Sequence, residues 1–126
     1  MGEQAEYQIY PSVNDSTLEV ILTGKLIAGA VEELQYKILD IIKVTVAKNL
    51  LIDTRAINEQ RINITQAYFA VRHPLHNIQN VKKTAFVDRP ENSDIGSFIE
   101  TTALNVGRSF KWFTDIDEAR NWLMSK

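Results

Sequence analysis

The sequence predicts an α/β fold: an open, mixed, mostly parallel five-stranded sheet with an N-terminal antiparallel hairpin and about four helices, in the order ββαβαβαβα. Three observations predict it. Two early segments alternate apolar and polar residues with a period of two and are separated by a short turn, the pattern of a hairpin. From Ala28 the apolar spacing lengthens to a helical one. After that, short apolar runs alternate with amphipathic stretches, which implies right-handed strand–helix–strand crossovers and parallel strands.

Each element has its own justification. "EYQIYPSV" places Tyr7, Ile9 and Pro11 at alternate positions and reads as the first strand. Asn14-Asp15-Ser16 is a turn signal. "TLEVILTG" alternates Leu18, Val20 and Leu22 and reads as the second strand. Val31, Leu34, Ile38, Ile41 or Ile42, and Thr45 then form one stripe of a helix, with Glu32, Glu33, Lys37 and Lys43 opposite. Glu33 and Lys37 are spaced for an ion pair. "LLID" is short and apolar, as a strand buried on both faces would be. A second helix is expected from Asn63 or Ile64, kinked or ended near His73 by Pro74. Thr84–Asp88 reads as the fourth strand. Asn92 or Ser93 caps a third helix with Ile95, Phe98 or Ile99, Thr102 or Ala103, and Val106 inward, and Gly107 stops it. "SFKWF" is the fifth strand. Thr114 or Asp115 caps the last helix, which turns Ile116, Ala119 and Trp122 or Leu123 inward.

The chain has 126 residues and reads as one domain, 1–126, with no repeat or linker. A net charge of −2 argues against nucleic acid as a main partner. Cysteine is absent, so there is no disulfide, thiolate nucleophile or thiolate metal site. No apolar run is long enough to span a membrane, and the N-terminus lacks signal-peptide features, so a cytoplasmic location is expected.

In open α/β sheets, sites lie beyond the carboxyl ends of the parallel strands. Three such ends are expected here: Thr23-Gly24-Lys25, Asp53-Thr54-Arg55 and Asp88-Arg89. If they share a rim, it gathers Lys25, Asp53, Thr54, Arg55, Asp88 and Arg89. One reading is an anion or partner site. The other is that these side chains cap helices and pair with each other, as short polar side chains at turns do. His73 and His76 lack further ligands, so no metal is expected. No phosphate loop, dinucleotide fingerprint or nucleophile elbow occurs, and no cofactor is expected. Tyr68 and Phe69 are adjacent on a helix and cannot both face the core. One of them, with Ile64 or Ile57, would edge a groove.

The segments "LTGKL", "LLIDTR", "FAVRHPLHNIQNVKKTAFVD" and "FKWFTDIDEARNWL" together resemble the SpoIIAA-like group of the STAS superfamily, the anti-sigma-factor antagonists. The resemblance spans residues 5 to 125. It implies a small cytoplasmic STAS-like domain that works by binding. In that group, an Asp at a strand end leads into a serine that a kinase partner phosphorylates. Here Asp53 matches the acid, but Thr54-Arg55-Ala56 replaces the serine turn and Ile57–Asn63 delays the helix. The nearest hydroxyls for phosphorylation are Thr54 and Thr65, and neither stands at the motif's position.

The expected function is therefore a non-enzymatic regulatory or binding module that engages a protein partner. Arg55, Arg72 and His73 are its exposed test groups. A second reading, from the SpoIIAA-like branch, is a carrier of an apolar or lipid-like ligand between the second and third helices. An enzymatic reading would need Asp53 and Asp88 to converge. An exposed first or fifth strand would allow pairing into a homodimer.

Overall fold

The computed structural model describes residues 6–61 and 81–125. Five strands form one sheet in the order β1-β2-β3-β4-β5. They are β1 (Glu6–Asn14), β2 (Thr17–Ile27), β3 (Asn49–Arg61), β4 (Lys83–Val87) and β5 (Phe110–Phe113). β1 and β2 are antiparallel, and every later pair is parallel. Among the described residues there are three α-helices: α1 (Val31–Thr45), α2 (Ser93–Asn105) and α3 (Ile116–Met124). The last two are the third and fourth helices of the sequence reading. The second, expected between β3 and β4, lies outside the described residues.

The hairpin depends on two backbone conformations. Asp15 in the turn takes a φ of 56°, which a short polar side chain tolerates. Gly24 takes a φ of 92°, and a Cβ there would collide with the Glu6 carbonyl oxygen. Only glycine lets β1 approach β2 so closely at that point.

Two cores lie on opposite sides of the sheet. On one side, Leu34, Ile38 and Ile42 of α1 meet Leu18, Val20, Leu22 and Leu50. Each of these side chains contributes about 1.5–3 kcal/mol by leaving water. On the other side, Ala119 and Leu123 of α3 meet Leu51, Ala85, Val87 and Phe113. Trp122 packs against Phe113 with ring centroids 5.8 Å apart. α2 lies on the α1 side. Its Gly96 abuts the Trp112 indole, Trp112 pairs with Phe86, and Phe86 pairs with Ile52 of the first core.

The start of α3 and the end of α2 follow the sequence signals, but the expected cap at the start of α2 does not form: Asn92 stands there without a side-chain capping bond and donates to Asp88 instead. Asp115, not Thr114, caps α3, accepting from the amides of Asp117 (2.8 Å) and Glu118 (3.3 Å). Gly107, with φ 83°, follows the end of α2. α1 begins at Val31, the first residue of its apolar stripe, directly after a 3₁₀ turn over Ala28–Ala30. Its Glu33–Lys37 pair forms at 3.1 Å.

β3 departs furthest from expectation. The sequence reading ended it at Asp53, whereas it runs 13 residues to Arg61. Beyond Asp53 it keeps pairing with β2 through two register shifts, each placing one extra residue on β3. Such bulges break the period of two that marks a strand. The buried Ile57, 1% exposed, shows that the extension packs into the first core.

Candidate functional site

β4 stops pairing with β3 at Val87, opposite Asp53. The first bulge of β3 begins there, and it turns Asp53-Thr54-Arg55 into a compact polar corner. The Asp53 carboxylate is buried and accepts three bonds from Arg55: from the backbone amide at 3.0 Å, from Nε at 3.0 Å and from Nη2 at 2.9 Å. The guanidinium fork thus meets the carboxylate with two parallel bonds, the strong and directional form of this pair. Hydrogen bonding to Asp53 is the main cause that raises the Arg55 pKa above its ordinary value. The Asp53 side chain is 8% exposed and that of Arg55 is 40%. The corner therefore presents a fixed cation on a buried anionic base.

Thr54 points inward. It is 2% exposed, and its hydroxyl donates to the Val87 carbonyl at 3.2 Å. This phosphorylation candidate is thus buried, with its hydroxyl engaged, in the folded chain. Thr65, the other candidate, lies outside the described residues.

Asp88 has a separate task. Its Oδ1 accepts from the Arg89 amide at 2.8 Å and from Asn92 Nδ2 at 3.1 Å, which ties the end of β4 to the turn before α2. Asp53 is in register with Val87, one residue before Asp88, so strand alternation puts the two aspartates on opposite faces of the sheet. They do not converge into the acid–base pair that an enzymatic reading requires. Arg89 reaches Glu91 only at 4.0 Å, and its buried Nε has no hydrogen-bond partner among the described residues.

The expected common rim needs correction at β2. Thr23-Gly24-Lys25 is not a strand end, because β2 continues to Ile27 alongside the extended β3. Lys25 stands four positions beyond Ile21, the residue opposite Asp53, or about 13 Å along the strand. Tyr68, Phe69, Arg72 and His73 lie outside the described residues. Among the described residues, no group of three or more His, Cys, Asp or Glu is placed to hold a metal ion.

One feature of this region escaped the sequence reading. Glu19 is 7% exposed although it sits on the polar alternation of β2. Arg120 of α3 grips it with two bonds, Nε at 2.9 Å and Nη2 at 2.8 Å. That grip is the main cause of the raised Arg120 pKa, with smaller contributions from Asp117 and Asp53. Glu19 and Arg120 are 101 residues apart in sequence, and no local pattern announces the pair.

Three solved structures share the architecture. A protein of the DUF3478 family from Shewanella loihica PV-4, described as having a SpoIIAA-like fold, superposes with a TM-score of 0.61 at 17% identity, over 98% of each chain. The fold is SpoIIAA-like. An anti-sigma factor antagonist from Mycobacterium paratuberculosis gives a TM-score of 0.65 at 13% identity, over 99% of this chain and 100% of that one. The anti-sigma factor antagonist SpoIIAA in its unphosphorylated form gives 0.56 at 17% identity, over 96% and 100%. No protein-family model and no curated protein matches the sequence. The likeness is one of fold, at identities too low to carry over a function. Among the described residues, no helix is long and apolar enough to cross a membrane.

Proposed function

We propose that this chain is a regulatory module that acts by binding a protein partner, with Arg55 at the centre of the contact. The observation that carries this reading is the Asp53–Arg55 corner. Arg55 has a large exposed portion, yet two bonds to a buried carboxylate hold it in one orientation. A guanidinium fixed in advance loses little rotamer freedom on binding, and arginine is enriched where partners make their strongest contacts. The Asp53 carboxylate beneath it is already satisfied from within, which suits recognition. The SpoIIAA-like fold, shared with anti-sigma factor antagonists, supports the same reading.

The test is capture of partners from native cytoplasm by the intact chain and by Arg55→Ala, with proteins and small molecules both analysed. A specific partner should be retained by the unaltered chain and lost, by about tenfold or more in affinity, with Arg55→Ala. Arg72→Ala and His73→Ala extend the test to the two remaining candidates. Binding unchanged in Arg55→Ala would overturn the reading. So would native mass spectrometry that finds a retained apolar adduct and no protein partner, since that outcome belongs to a ligand carrier.

A further inference from the structure

The end of the molecule opposite the Asp53–Arg55 corner gathers the amino ends of β3, β4 and β5, the β1–β2 turn, and the carboxyl ends of α1, α2 and α3. Hydrogen bonds tie it together. The Lys48 amide donates to the Ser16 carbonyl, the Lys82 amide to the Lys48 carbonyl, and the Thr84 amide to the Ser109 carbonyl. Asn49 Nδ2 donates to the Leu123 carbonyl of α3.

Exposed apolar side chains concentrate here. Of nine large ones among the described residues, six stand at this end: Val13, Val44, Val46, Leu104, Val106 and Met124. They come from four separate elements and are spread along the sheet, whose five strands span roughly 19 Å at about 4.8 Å per spacing. Val44 and Val46 are 80% and 76% exposed. Val46 is also strained. Its φ of 55° is costly for a β-branched residue, at a helix end where glycine or asparagine is usual. The chain keeps an exposed apolar side chain where a polar one would be more stable, and strain of this kind concentrates at functional surfaces.

The charge at this end is basic, although the chain as a whole carries −2. Lys43, Lys48 and Lys82 are exposed and form no ion pair among the described residues. Lys83 is spent on the carbonyls of Trp122 and Ser125 at the end of α3. Lys43 complements the dipole of α1, but Lys48 and Lys82 stand outside the helices. Asp15 in the turn is the one acidic side chain at this end among the described residues. Asp40 and Glu100 sit more than a turn before the ends of α1 and α2, and Glu100 holds the Trp112 amide.

We propose that this end of the fold docks on an anionic lipid bilayer. The apolar side chains enter the headgroup boundary, and Lys43, Lys48 and Lys82 meet the lipid anions. Charge complementarity requires an acidic surface, and side-chain composition selects a bilayer over a protein. Protein interfaces are enriched in aromatic residues and arginine and depleted in lysine. This patch is aliphatic, and its unpaired cations are lysines. Lysine is a mobile point charge, which suits a fluid anionic surface, and aliphatic side chains need no fitted pocket at the acyl boundary. The Arg55 corner faces the other way, so this surface is additional to the one that binds a protein partner.

The probe is co-sedimentation of the full chain with vesicles of equal parts phosphatidylcholine and phosphatidylserine, against vesicles of phosphatidylcholine alone. The chain should sediment with the mixed vesicles only and be released as salt is raised. Lys48→Glu/Lys82→Glu should lower the partition at least about tenfold. Val46→Asn should lower it about threefold or more while the urea midpoint holds or rises, so unfolding cannot account for the loss. Absence of sedimentation, equal sedimentation with both vesicles, or binding unchanged in both variants would each overturn the proposal. So would capture of a protein partner that Lys48→Glu/Lys82→Glu loses, since that would make this end a protein interface.

Discussion

Replacing Arg120 with alanine should destabilise the chain by about 2–3 kcal/mol. Glu19 is nearly excluded from water, with a side chain 9% exposed, and Arg120 supplies two charge-assisted bonds to it at 2.8 and 2.9 Å. Removing one partner of a fully buried ion pair costs about 3–5 kcal/mol, because the remaining charge is left unsolvated. Arg120 itself is 45% exposed, so water already screens part of the attraction and the cost falls below that range. The arginine also spans from α3 to β2, so the loss should appear as cooperative unfolding rather than local fraying. Urea denaturation followed by far-ultraviolet circular dichroism measures the change. The companion Arg120→Ala/Glu19→Gln removes the stranded charge and should recover at least ~1 kcal/mol of the loss. A cost below about 0.5 kcal/mol for Arg120→Ala, the level of an ordinary surface substitution, would refute the argument that the buried carboxylate depends on its partner.

Three further outcomes are expected. In Gly96→Ala the new methyl would fall inside contact distance of the Trp112 indole, 2.7 Å from its Cδ1, so α2 must move off β5. Overpacking of this kind costs about 1–3 kcal/mol, and thermal melting with Trp112 emission isolated by Trp122→Phe would detect it; an unchanged melting temperature would count against that packing. Val46 ends α1 at φ 55° and is 76% exposed, so Val46→Asn should relieve a left-handed β-branched residue and stabilise by about 0.5–1 kcal/mol in urea titrations. Burial, then the hydrogen bond to Glu33 at 2.6 Å, raise the Tyr7 phenol above its ordinary 10.0. Its stabilising contribution is complete below that value and is lost as pH rises through the folded-state value, so Tyr7→Phe should flatten the alkaline limb of the stability profile. The bonds from Tyr7 and then Lys37 lower the Glu33 carboxyl below 4.5, so its contribution is present above that value and lost on acidification. Phenolate absorbance against pH reads the first effect directly.

Most of the scaffold was legible because its signals are local. The turn at Asn14–Ser16, the Leu34–Ile38–Ile42 stripe, the Asp115 cap and the Gly107 stop each depend on residues within a few positions of one another. The extension of β3 was not legible, because two bulges erase the alternation by which a strand is recognised. The candidate site divides along the same line. Asp53 and Arg55 are two residues apart, and the sequence places both at a corner. Whether they would face a ligand or each other depended on the burial of Asp53 between β2 and β4.

The amino-acid sequence by itself determined the order of the described elements and the polar corner after "LLID", since periodicity and turn chemistry act over a few residues. Tertiary structure alone decided that Asp53 and Asp88 face opposite ways, that Thr54 is sealed, and that Glu19 lies buried under Arg120. These outcomes depend on register between strands and on contacts across as many as 101 residues, and a linear pattern carries no distance information of that range.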